Sequence, residues 1–333
     1  MDRIHRHLIG ALLSGLVVAM PAVAQTELKL LSTFDARYPG TPLVTDKFIE
    51  GVKAGSNGRL SFRVSGPEVV PPPEQFQPVQ KGAFDLLFTV QPWHVNVASV
   101  SMGLFPLAPD TEGWRKNGVY DYVDRDYQRN NLKLISIIPG NSAGVGTFQV
   151  LLKDEIKPGQ GLTGRKVRAN PVYKAFTDSV GASMVILQGG EIYGALQRGT
   201  IEGVFWPVLG AVDFKWYEQA KYMMRPRWGV SYHFILMNLD RFNKLDAPDR
   251  TVLLEEGRKI EVVGMKAFDE RTYKEIADLA AKGMKETTLD PATFDRAVLA
   301  FNEGLWNVAF NSKASGAEAR KFHEFLKEKG LLK

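Results

Sequence analysis

The feature that most constrains this chain is a stretch of pattern that it carries twice. Glu74…Val79-Gln80-Lys81-Gly82-Ala83-Phe84-Asp85 lies without a gap on Glu191…Leu196-Gln197-Arg198-Gly199-Thr200-Ile201-Glu202. In each copy a helix ends on a basic residue and a glycine, and a strand with an acid near its start comes next. Glycine stops a helix cheaply because it adopts the left-handed backbone that other side chains resist. Any single helix–glycine–strand joint looks like this; the order of elements around the two copies adds weight. The first copy comes after a strand at Leu28–Ser32, a helix at Thr45–Lys53 and a strand at Leu60–Val64, and runs into a strand at Phe84–Val90. The second comes after a short strand at Lys166–Arg168, a helix opening at Asn170-Pro171 and a strand at Met184–Leu187. It runs into a strand ending at Phe205-Trp206-Pro207. Strands alternating with helices imply mainly parallel sheets joined by right-handed crossovers. The reading is an α/β chain of two similar lobes.

In such sheets ligands bind beyond the carboxyl ends of the strands. Those ends carry Ser32–Phe34, Gln91–His94, Arg168–Asn170 and Phe205–Pro207, and four ends from two lobes can face one cleft. The rest of the chain is helical. Asp249–Asp278, Pro291–Val308 and Ala317–Lys329 are expected to pack against the lobes.

The N-terminus reads as a secretion signal. Arg3 and Arg6 form a basic start, Leu8–Met20 is apolar, and Ala22-Val23-Ala24 fits the small-x-small cleavage rule, so the mature chain is expected to begin at Gln25. The apolar run is too short to span about 30 Å of hydrocarbon. Loss of residues 1–24 removes Arg3 and Arg6 from 42 basic residues and Asp2 from 37 acidic ones. The net charge then falls from +5 to about +4. That balance mildly favours anions and is far too weak to argue for nucleic acid. With no cysteine in the 333 residues, disulfides, thiol nucleophiles and zinc–thiolate sites are excluded.

Arg168 is the leading candidate for chemistry. It ends a strand two residues before the Asn170-Pro171 helix start, where Asn caps and Pro occupies the first helical position. A guanidinium beside free backbone N–H groups suits a carboxylate, held by two parallel charge-assisted bonds. The plain alternative is a surface arginine. Phe34, Gln91, Trp93, Phe205, Trp206, Trp228, Tyr232 and His233 fall in loops or near element ends, where side chains can line a ligand cleft. Core packing is the alternative, and it is the expected role of Trp114, Trp216 and Trp306. His94 and His233 lie too far apart to read as a metal motif, and no metal or cofactor is expected. Gly140, Gly144 and Gly146 lack the Lys-Ser/Thr that completes a phosphate loop, and no Gly-x-Ser-x-Gly elbow occurs.

Gly164-Arg165-Lys166-Val167-Arg168-Ala169-Asn170-Pro171-Val172-Tyr173-Lys174-Ala175-Phe176 resembles the arginine-bearing segment of solute-binding proteins of tripartite ATP-independent periplasmic (TRAP) transporters. Glu191–Gly203 is similar to that family's helix-to-strand signature, and Lys81–Asp85 to its counterpart in the first lobe. The resemblance covers essentially the whole mature chain. It implies a two-lobed periplasmic-binding-protein fold, each lobe a mainly parallel sheet flanked by helices, with a long helix crossing between them. By analogy, lobe one is roughly 25–145 plus 234–273, and lobe two 146–233 plus 274–333. Arg168 matches the arginine that grips a ligand carboxylate, Trp206 a position that is often a polar contact, and Trp228 one that is often histidine.

One departure stands out. Many members carry a second arginine where this chain has Val145-Gly146-Thr147-Phe148-Gln149. Its loss, with Trp206 and Trp228 adding apolar surface, points to a monocarboxylate with an apolar or aromatic body, such as a phenyl-type or hydroxycinnamate-type acid. The implied function is capture of such an acid in the periplasm and delivery to the membrane subunits of a TRAP transporter by a monomeric, non-enzymatic protein. The competing readings are a periplasmic enzyme on a similar scaffold, for which no nucleophile, metal site or acid–base pair is singled out, and a sensor-linked binding subunit.

Overall fold

The computed structural model describes residues 25–332; the expected signal segment, 1–24, lies outside the described residues. Within them the strands are β1 (Thr26–Ser32), β2 (Leu60–Ser65), β3 (Leu86–Val90), β4 (Leu132–Pro139), β5 (Phe148–Leu152), β6 (Lys166–Arg168), β7 (Ser183–Val185), β8 (Gly203–Pro207), β9 (Tyr222–Arg225), β10 (Tyr232–Asn238) and β11 (Lys285–Thr288). They form a five-stranded sheet in the order β2-β1-β3-β10-β4 and a six-stranded one in the order β11-β9-β5-β8-β6-β7. Read from the β2 and β7 edges, the two sheets are laid out alike, and each has a single antiparallel strand. In the first it is β10, which pairs antiparallel with β3 and β4; in the second it is β5, which pairs antiparallel with β8 and β9. Those two are strands by which the chain enters a sheet on crossing from the other: β5 opens the second sheet after β4, and β10 returns to the first after β9. Both are fully buried and mainly apolar, as strands covered on two faces must be.

The duplicated joint is the same structure in both places. Gly82 and Gly199 hold positive φ, 79° and 71°. The N–H groups of Ala83 and Thr200 donate to the carbonyls of Pro78 and Ala195, and those of Gly82 and Gly199 to Val79 and Leu196. This is the paired closure of a Schellman cap. The acid after the glycine also has one job in both copies. The Asp85 carboxylate accepts from Lys29 N at 2.7 Å, and that of Glu202 from Lys166 N at 3.2 Å. Each ties the joint to the neighbouring strand.

A 35-residue helix, Ala247–Ala281, runs between the lobes. Leu253, Ile260 and Phe268 join the apolar cluster of the first sheet, whereas Leu279 joins a cluster of the second. A Cβ built on Gly257 would stand 2.4 Å from the Ile135 carbonyl, so this glycine lets the helix lie directly on β4. Two details depart from the expected boundaries. β10 begins at Tyr232, so Tyr232 and His233 belong to the first sheet. The last helix, Gly316–Glu328, packs Phe322 and Leu326 with Val119 and Val123 on the first sheet's side rather than in lobe two. Helix Pro291–Phe310 buries Phe301 and Leu305 in the second lobe's core. Trp114 and Trp216 are core residues, also as expected.

Candidate functional site

The site is built outward from β6, a strand of only three residues. Val167 points into the second lobe's core, and Arg168 is carried to the strand's carboxyl end with only 2% of its surface exposed. Its Nε donates to the Leu187 carbonyl at 2.9 Å and its Nη1 to the Phe205 carbonyl at 3.2 Å. The guanidinium lies 4.4 Å over the Trp206 ring, which is itself pinned by a 3.0 Å bond from Nε1 to the Leu209 carbonyl. Among the described residues no carboxylate pairs with Arg168. Burial pulls its pKa down to about 10, opposed by the fields of Tyr173 and Glu191, so it stays charged at neutral pH. A charge withdrawn from water without a counter-ion is expensive, and an anionic ligand would relieve it. Beyond the strand, Asn170 Oδ1 accepts from Val172 N at 3.2 Å and caps the turn Pro171–Tyr173, as its sequence position implied.

Arg168 separates two chambers between the lobes. The deeper, of about 60 Å³, is walled by Phe34, Tyr38, Pro92 and Trp93 from the first lobe and by Asn170, Tyr173 and Trp206 from the second. Phe105, Phe148, Tyr232 and His233 complete it. Phe34 stacks on Tyr38 at 4.0 Å, and Tyr38 Oη meets His233 Nε2 at 2.8 Å. Burial pushes the His233 pKa down to about 4, so that ring is neutral and Arg168 is the one charge on the chamber's lining. The outer chamber, about 250 Å³, shares Phe34, Trp93, Arg168 and Trp206 but adds three acids, Asp35, Glu68 and Glu191. Asp35 is paired with Arg37, while Glu68 and Glu191 accept from the backbone N–H groups of Gly66 and Gln188.

Of the residues singled out from sequence, Arg168, Asn170, Trp206, Trp93, Phe34, Tyr232 and His233 converge on these chambers. Three do not. Trp228 stacks face to face on Phe176 at 4.4 Å, with Phe205 edge-on to both, in the core of the second lobe. Phe205 is fully buried there and offers the site only its backbone carbonyl. The alternation of side chains along β8 sends Phe205 and Trp206 to opposite faces. Gln91 is buried with Nε2 on the Ala98 carbonyl and lines neither chamber. Conversely, Tyr38, Phe105, Phe148 and Tyr173 line the deep chamber without having been singled out. Only Tyr173, three residues past the Asn170 cap, had a positional signal. The stretch without the second arginine supplies Phe148 to the chamber. Its neighbour Gln149 is buried and accepts from Arg225 Nη1 at 3.3 Å.

Among the described residues no cluster of His, Asp or Glu has the makings of a metal site, and no helix is long and apolar enough to cross a membrane. The profile of the DctP family, described as bacterial extracellular solute-binding protein, family 7, matches residues 40–309. A solute-binding protein of Verminephrobacter eiseniae (strain EF01-2) is 30% identical over 153 residues, 45% of this chain and 46% of that one. Among solved structures, a TRAP periplasmic solute binding protein from Desulfovibrio salexigens with bound orotic acid superposes with a TM-score of 0.78 at 17% identity, covering 91% of this chain and 99% of that one. Another, from Desulfovibrio desulfuricans with bound sn-glycerol-3-phosphate, gives 0.76 at 18%, covering 90% and 97%. At such identities the structural likeness speaks for the two-lobed fold.

Proposed function

The chain belongs to family 7 of the bacterial extracellular solute-binding proteins, and from that premise we propose that it captures a small monocarboxylate with an apolar or aromatic body. The observation that carries this reading is Arg168: a buried guanidinium, without a counter-ion among the described residues, facing an otherwise uncharged chamber walled by aromatic rings. One buried positive charge matches one carboxylate. The aromatic walls match a flat or apolar remainder, since each well-packed ring pair adds about 0.5–1.5 kcal/mol beyond area burial. A second carboxylate would meet Asp35, Glu68 and Glu191 in the outer chamber and be repelled.

The cycle is binding and closure without chemistry. In the open form lobe two presents Arg168. The carboxylate pairs with it, and the first lobe brings Phe34 and Trp93 over the rest of the molecule, a hinge motion typical of periplasmic binders. The closed protein then docks on the membrane subunits of a TRAP transporter in the periplasm. Isothermal titration against benzoate, 4-hydroxycinnamate, succinate and sialate tests the ligand class. Binding of the aromatic monoacids is expected; tight binding of succinate or sialate with no heat from either aromatic acid overturns the reading.

A further inference from the structure

Buried tyrosines of this protein have partners for their hydroxyls. Tyr38 Oη meets His233 at 2.8 Å, Tyr127 Oη meets His94 at 2.9 Å, and Tyr232 Oη donates to the Leu107 carbonyl at 3.0 Å. Tyr173 is as buried, with 2% of its surface exposed, yet among the described residues its hydroxyl takes no hydrogen bond. On the chamber's lining the fully buried polar atoms without a partner are Ser231 Oγ and His233 Nδ1; the Tyr173 hydroxyl is not one of them and so keeps access to the chamber's open space. Tyr173 lines the deep chamber together with Arg168, five residues earlier in the chain.

We propose that the Tyr173 hydroxyl is the second donor to the ligand carboxylate, working beside Arg168. This rests on the reading of the deep chamber as a carboxylate site. Two features of Arg168 make a second donor useful. Its Nε and Nη1 are engaged by the carbonyls of Leu187 and Phe205, so Nη2 is the nitrogen with no acceptor among the described residues. A carboxylate has about four acceptor positions, more than that end of one guanidinium fills. The tyrosine is also held for the task. Its ring stacks on Phe301 at 5.7 Å, stands edge-on to Phe148 at 5.4 Å and packs on Phe205 at 5.5 Å. A donor fixed in place before binding loses little freedom on binding. Being neutral, it satisfies the anion without a second positive charge, in a chain whose Val145–Gln149 stretch has no arginine.

Tyr173→Phe removes the oxygen and keeps the ring packing. Titration of benzoate and of 4-hydroxybenzoate into wild type, Tyr173→Phe and Arg168→Ala separates the outcomes. Expected is a loss of about 10- to 100-fold in affinity for Tyr173→Phe, the usual range for a hydrogen bond to a charged group, and by the same factor for both acids. Unchanged affinity in Tyr173→Phe, with binding lost in Arg168→Ala, overturns this inference and leaves the proposed function standing. A loss seen with 4-hydroxybenzoate alone also overturns it, because the hydroxyl then serves the ring substituent. If wild type binds neither acid, the proposed function falls and takes this inference with it.

Discussion

Equivalent strand ends stand on opposite walls of the cleft, and the residues on them differ in kind. In the first lobe β1 runs into Phe34 and β3 into Pro92 and Trp93; in the second, their counterparts β6 and β8 end at Arg168 and Trp206. Polar side chains behind the first lobe's strand ends are tied to one another. Thr33 Oγ1 is bonded to Gln75 at 2.8 Å and to Thr89 at 3.0 Å, and Gln75 Nε2 donates to the Ser32 carbonyl. The second lobe instead aims a charge at the cleft and supports it with two carbonyls and an indole face. A duplicated scaffold has thus divided its work: one wall grips, the other covers. The difference lies in a few side chains at strand ends, since layout and helix caps are shared.

That division can be broken at the gripping wall first. Arg168→Ala leaves a buried ligand carboxylate without its partner and is expected to weaken benzoate binding by about 3–5 kcal/mol, read by titration calorimetry. Its thermal melt without ligand should change little: the buried charge has no counter-ion to lose among the described residues, and that relief offsets the loss of its bonds to the Leu187 and Phe205 carbonyls. A comparable effect, on stability alone, is expected for Trp228→Ala. Removing a core ring stacked on Phe176 costs about 3–5 kcal/mol in denaturant unfolding, while the folded fraction binds like wild type. A selective loss of affinity there would return Trp228 to the site. At the covering wall, Trp93→Ala should cost about 1–2 kcal/mol of affinity, more for larger aromatic acids, with the preference for carboxylates intact. The smallest effect is that of pH. Arg168 stays charged below about 10 and His233 stays neutral above about 4, so affinity should be flat from about pH 5.5 to about 9, falling on the acid side as the ligand carboxyl takes up a proton and on the alkaline side as Arg168 loses its own. A maximum or step near pH 6.5 would mean that a charged histidine takes part.

What sequence conveyed well was local and repeated. The helix-stop glycines, the acids after them and the Asn170-Pro171 cap each answer to backbone geometry that neighbouring residues set, and all appear as read. Arg168 was legible because position at a strand end and chemical type agreed. What failed depends on facing. A strand end such as Phe205-Trp206 sends one side chain to the cleft and one to the core, and alternation alone does not say which. Gln91 was placed near the cleft as a strand end and Trp228 as an aromatic in a loop or at an element end, but tertiary packing draws both inward. Tyr38, Phe105 and Phe148 come from segments whose approach to the cleft depends on how the lobes meet, which no local pattern records. The C-terminal helix went to the first lobe for the same reason: its apolar face, Phe322 and Leu326, fits either lobe until Val119 and Val123 are seen beside it.

The most direct measurement is a crystal structure of the benzoate complex. A carboxylate oxygen is expected within about 3.2 Å of Arg168 Nη2, with the ring enclosed by Phe34 and Trp93. Electron density for the acid anywhere else, with Arg168 keeping only its bonds to Leu187 and Phe205, would contradict it.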